Sequence, residues 1–118
     1  MTEENFWEEY NQYREKMNKR VMETDNLNIK RFFNLDTRAY DSGALDKKTK
    51  EMLGLVASLV LKCDDCINYH LQELSKLDMA DEELYEALNI GLVVGGSIII
   101  PHLRKALEAW DKLNEKAE

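Results

Sequence analysis

Proline occurs once and glycine five times in 118 residues. That is too few to punctuate the short strands of a β-sandwich or to build a glycine-rich phosphate cradle, so helices are the expected elements. Basic residues are also in the minority: 16 Lys and Arg against 23 Asp and Glu leave a formal charge of −7. A polyanion such as nucleic acid, or an anionic membrane surface, would be repelled on average. No stretch reaches the roughly 20 apolar residues that a bilayer requires. The acidic, aromatic start (Thr2, Glu3, Glu4, Asn5, Phe6, Trp7) has neither the basic nor the apolar region of a signal peptide, so the expected compartment is the cytoplasm. Cysteine is scarce too, and in a reducing compartment the two present are poor candidates for a structural staple. Their spacing then becomes the informative fact, because they are Cys63 and Cys66.

The rest of the chain reads as one all-α domain over residues 1–118. Phe6, Tyr10, Tyr13, Met17 and Val21 recur at helical spacing, which predicts an amphipathic helix over residues 2–24 whose aromatic stripe is packing surface. Residues 25–46, with Asn26, Asn28, Asn34, Asp36 and Ser42-Gly43, read as a connector with at most a helical turn near Arg31-Phe32-Phe33. Asp46 can cap a second helix running through Lys62 that is apolar nearly all round and therefore central. On it Glu51 and Ser58, seven residues apart with Gly54 between them, form one narrow polar stripe. From Asp64 to about Leu77 a further helix places Cys66, Ile67, His70, Leu74 and Leu77 on one face, expected to be the buried one. Another begins near the acidic Asp81-Glu82-Glu83. A break at Gly95-Gly96 precedes a last helix that starts at Ser97 or Pro101, runs to Leu113 and ends in a frayed tail. Residues 92–100 are apolar on every face, and with the N-terminal stripe they exceed what a five-helix monomer can cover, so a trimer or hexamer is expected.

Residues 63–70, Cys-Asp-Asp-Cys-Ile-Asn-Tyr-His, combine a Cys-x-x-Cys pair with a histidine four residues after the second cysteine. On one helix Cys66 and His70 are neighbours, about 5–6 Å apart at Cβ. An imidazole at that distance can accept the thiol proton and so supply the thiolate, which is the reactive form. Cys63, one turn earlier, can close a short disulfide with Cys66 once either sulfur is oxidised. The helix N-terminus favours a thiolate while Asp64 and Asp65 oppose it, and the residues alone leave that balance open. Tyr69 and Ser58 are supporting candidates. The same side chains, with Glu51 or His102 as a fourth ligand, could instead hold zinc in a non-catalytic assembly module, although no second cysteine pair is present. For His102, beside Pro101, packing at a helix start is the expected role. Glu51 and His70 lie 19 residues apart, about 28 Å along a straight helix. Bringing the polar stripe of Glu51 against the His70 face requires a break near residues 62–64, with Asp64 as the new N-cap.

Taken together, Glu51, Ser58, Cys63-x-x-Cys66 and His70 resemble the active-site signature of the carboxymuconolactone decarboxylase superfamily, in its alkylhydroperoxidase D-like (AhpD-like) branch. The likeness covers about residues 45–109. It implies an AhpD-like helical bundle with the Cys-x-x-Cys at the start of a central helix, assembled as a trimer or hexamer. It also implies a peroxiredoxin-type, antioxidant thiol peroxidase or disulfide oxidoreductase acting on peroxide or an organic hydroperoxide. In that reading Cys66 is the peroxidatic residue that becomes the sulfenic acid, Cys63 is the proton donor and resolving thiol that meets an external dithiol or lipoyl-type reductant, and His70 and Glu51 form the relay. No metal or organic cofactor is expected. A lactone decarboxylase with incidental cysteines is the other reading within the superfamily.

Overall fold

The computed structural model describes residues 5–114. Residues 2–4 of the predicted first helix and the tail at 115–118 lie outside them. The chain divides into two compact units between Asp41 and Ser42. In the first, α1 (Phe6–Met22) carries Phe6, Trp7 and Tyr10 in successive edge-on contacts at 5.1 and 5.2 Å, with Arg14 over the Tyr10 ring. The expected connector is in fact a second helix, α2 (Leu27–Ala39), and this corrects the sequence reading. Asn26, taken as a loop residue, is its N-cap: the side chain accepts from the Ile29 N–H at 3.1 Å. Asn28 and Asn34 are exposed residues inside the helix rather than turn formers. Ile29, Phe32 and Phe33 were at helical spacing all along, and the asparagines masked it.

The second unit is built from α3 (Lys47–Val60), α4 (Asp64–Lys76), α5 (Asp81–Gly95), a short 3₁₀ turn (Ser97–Ile99) and α6 (Ile100–Leu113). Among the described residues the chain therefore has six α-helices, not five, and no strand. Helix α3 is central, packed against α4 on one side and α5 on the other, while α6 packs on α4. Leu55 and Leu59 of α3, Ile67, Leu71 and Leu74 of α4, and Leu84 of α5 are fully or almost fully buried. Asp46 caps α3 as expected, accepting the Thr49 N–H at 2.8 Å. Lys48 grips both oxygens of Glu83 at 2.8 and 3.0 Å, fastening α3 to the start of α5. Trp110 donates its indole N–H to Asp81 at 2.8 Å, which ties α6 to the same place. The break after Gly95 is real: Gly96 has φ 80°, a left-handed conformation that glycine adopts without a Cβ clash. Among the described residues, no helix is long and apolar enough to cross a membrane.

The turn that matters most lies between α3 and α4. Helix α3 ends at Val60, Lys62 takes φ 61°, and the chain reverses into α4 with Cys63 as its N-cap. The Cys63 N–H bonds the Ser58 carbonyl at 3.0 Å, which closes the reversal. A lysine in the left-handed region carries a Cβ penalty that glycine avoids. Lys62→Gly should therefore raise unfolding free energy by about 0.5–1 kcal/mol, and Lys62→Val should lower it, as read from urea denaturation.

Candidate active site

The reversal at Lys62 brings the polar stripe of α3 against α4. Glu51 is completely buried, and its Oε1 lies 2.7 Å from His70 Nδ1, closing a gap of 19 residues. Its other oxygen, Oε2, accepts from Lys47 Nζ at 3.0 Å, one turn back on α3. Burial alone would push the Glu51 carboxyl up. The hydrogen bonds and charges of His70 and Lys47 outweigh it and hold the group below its ordinary value, so it is ionised at neutral pH. Lys47 answers in kind: burial lowers it, but its bond to Glu51 and the charges around it raise it overall.

An ionised carboxylate can only accept, so His70 Nδ1 must carry the proton that it shares with Glu51. In the neutral imidazole this makes Nε2 the basic nitrogen. Tyr69 stacks edge-on to the His70 ring at 5.3 Å between centroids. Ser58 is buried beside the turn, and its carbonyl anchors Cys63. His70 and Cys66 stand one helical turn apart on α4.

The cysteines are disulfide-bonded, with Cα atoms 5.3 Å apart. Cys63, and not Asp64, caps α4: its sulfur accepts the Cys66 N–H at 3.2 Å. Sulfur is an unusual cap, and the sequence reading had placed Asp64 there. Asp64 instead becomes the first residue of the helix. A second expectation also changes. Cys66 was placed on the buried face with His70, but in the chain it is exposed, whereas Cys63 is half-buried. Helix α4 emerges from the packing at its first turn, so only Ile67 and the residues beyond it reach the interior. His102, expected only to pack at a helix start, makes a 2.7 Å contact from its Nδ1 to Asp64 Oδ1. Lys47 and the His102 contact with Asp64 were missed. The i,i+4 spacing of Lys47 to Glu51 was the available signal for the first; nothing local could have given the second. Among the described residues, no three His, Cys, Asp or Glu side chains converge as a metal site, so Cys63, Cys66, His70 and Glu51 or His102 are not gathered around a common point.

The model of the carboxymuconolactone decarboxylase family matches residues 28–109. The chain belongs to that family. A crystal structure of a family protein from Thermotoga maritima, described with a possible involvement in antioxidative response, is 53% identical. It superimposes with a TM-score of 0.87 over 91% of this chain and 91% of that one. The apo form of a family protein from Legionella pneumophila is 30% identical, with a TM-score of 0.68 over 94% and 92% of the two chains. "Uncharacterized protein 4 in cox locus" of Paracoccus denitrificans is 26% identical over 83 residues, 70% of this chain and 75% of that protein. The fold is accordingly the all-α, AhpD-like one, and the carboxymuconolactone decarboxylase match includes α2, where the sequence reading had a connector.

The lowered Glu51 carboxyl has a pH signature. A group whose folded value lies below its unfolded one contributes stability that is complete above the ordinary glutamate value of 4.5 and is lost as pH falls through the folded value. Urea unfolding followed from about pH 6 to about pH 3 should show a steeper acid loss for the parent protein than for Glu51→Gln. Equal slopes would mean that Glu51 is not held ionised by its neighbours.

Proposed function

We propose that the protein is a thiol-dependent peroxidase that uses the Cys63–Cys66 couple. The observation that carries this reading is the buried Glu51–His70 pair, set one helical turn from a cysteine that is bonded to its neighbour. In the reduced protein His70 Nε2 takes the Cys66 proton, and Glu51 stabilises the imidazolium that forms. The thiolate attacks the terminal peroxide oxygen, the O–O bond breaks, and the proton goes to the departing alkoxide or hydroxide. The products are Cys66 sulfenic acid and one molecule of alcohol or water. The Cys63 thiol then attacks the sulfenic sulfur, forming the disulfide and releasing water. An external dithiol, of the lipoyl type or another, returns two electrons and two protons and leaves as its own disulfide. The exposure of Cys66 supports direct access for a small hydroperoxide, and the antioxidative description of the Thermotoga maritima relative points the same way.

The working form is proposed to be a homo-oligomer, a trimer or hexamer. Val93, Val94 and Ile98 are 83%, 67% and 63% exposed, and Ile90 and Tyr85 of α5 are exposed as well. Surface of this kind marks an interface. Light scattering at micromolar concentration should return three or six chain masses; a single chain mass would remove the assembly.

The roles of the cysteines separate by mutation. Cys63→Ser should leave a sulfenic acid on Cys66 that dimedone traps, with turnover stopping after one cycle. Cys66→Ser should abolish oxidation at its first step. His70→Ala or Glu51→Gln should slow the reaction of Cys66 with peroxide by about 10²–10⁴-fold, the usual size of a lost general base. If dimedone labels Cys63 in Cys66→Ser as fast as Cys66 in Cys63→Ser, the assignment is wrong.

A further inference from the structure

Asp64 lies between the two cysteines at the first position of α4, where its charge would oppose a thiolate on either of them. The structure does not leave that charge uncompensated. From the first turns of α6, His102 Nδ1 reaches Asp64 Oδ1 at 2.7 Å and Lys105 Nζ reaches Oδ2 at 3.4 Å, across 38 and 41 residues of sequence. The His102 side chain is largely buried, and that of Asp64 is about two-thirds covered. Burial pushes the Asp64 carboxyl up, but the hydrogen bonds and charges of His102 and Lys105 more than offset it, so Asp64 is ionised. His102 Nδ1 is therefore the donor.

We propose that His102 and Lys105 are positioning residues for the Cys63–Cys66 couple. By holding the Asp64 carboxylate against α6 and offsetting its charge, they leave the N-terminus of α4 free to stabilise the thiolate of the reduced pair. The proposal rests on the reading of that pair as redox-active. Reduction by dithiothreitol adds two electrons and two protons to the S–S bond and yields two thiols and cyclic oxidised dithiothreitol; Cys66 then loses its proton. The dipole of α4 favours the resulting anion. The other charged and titratable groups at this end of the unit are Asp65 and His70 on α4, Glu51 and Lys47 on α3, and Lys62 in the turn. All of these stay constant in the comparison below.

The test uses the full chain carrying Cys63→Ser, which keeps a hydroxyl at the cap, and follows alkylation of Cys66 by iodoacetamide against pH. His102→Gln and Lys105→Met each leave Asp64 less compensated. They should move the thiol titration to higher pH and slow alkylation at pH 7 by about three- to tenfold, since the thiolate fraction falls tenfold per unit. Asp64→Asn removes the opposing charge and should move the titration to lower pH, with faster alkylation. A contact that merely braces α4 against α6 is broken by all three substitutions and would shift the thiol in one direction or not at all, and either result overturns the proposal. The Lys105 side chain is 66% exposed, so Lys105→Met does not disturb the core. Because iodoacetamide reads the thiolate and not peroxide turnover, a protein that fails as a peroxidase leaves this test intact. A fully active peroxidase with an unmoved titration would reject the α6 clamp alone.

Discussion

A carboxylate with no solvent exposure constrains everything around it. Glu51 sits fully buried between α3 and α4, where an unpaired charge would cost several kcal/mol. It is tolerable only because each oxygen has a donor: Lys47 from its own helix and His70 from the next. Among the described residues no buried side-chain nitrogen or oxygen lacks a partner. The donor from α4 can arrive only if the chain reverses within a few residues. The left-handed Lys62 and the Cys63 cap are therefore linked to the burial of Glu51, and together they bring the Cys-x-x-Cys segment to the end of the charged pair.

Electrostatics then divides the site into two supported anions. On the α3 side Glu51 is held ionised and sets which nitrogen of His70 carries the proton. On the α6 side Asp64 is held ionised by His102 and Lys105. Between them lies the first turn of α4, where the Cys66 N–H already points at the Cys63 sulfur and the helix dipole favours a sulfur anion. The division of labour follows from location: the buried pair supplies a base of defined orientation, and the half-exposed Asp64 cluster adjusts the charge at the helix mouth.

Much of this was legible in the sequence because it rests on local spacing. The Asp46 cap, the polar stripe of Glu51 and Ser58, the placing of Cys66 and His70 on one helix and the break before Asp64 all follow from helix geometry. What escaped was of two kinds. Helix α2 was hidden because Asn26, Asn28 and Asn34 suggest turns, although one caps and two tolerate a helix whose apolar residues set its course. The role of Cys63 as a cap, the exposure of Cys66 and the contact of His102 with Asp64 depend on where α4 leaves the packing and on how α6 crosses it. Those are tertiary facts, separated by 38 residues in the last case, and no periodicity encodes them.

The central claim is that Glu51 fixes the orientation and tautomer of His70 so that Nε2 is the base. Long-range proton–nitrogen NMR of the imidazole in the reduced protein reads this directly, since protonated and unprotonated ring nitrogens have well-separated nitrogen shifts. With the ring in its neutral form the account predicts that His70 has its proton on Nδ1 with Nε2 unprotonated, and that Glu51→Gln disturbs this preference. A neutral His70 carrying its proton on Nε2 in the parent protein would contradict it.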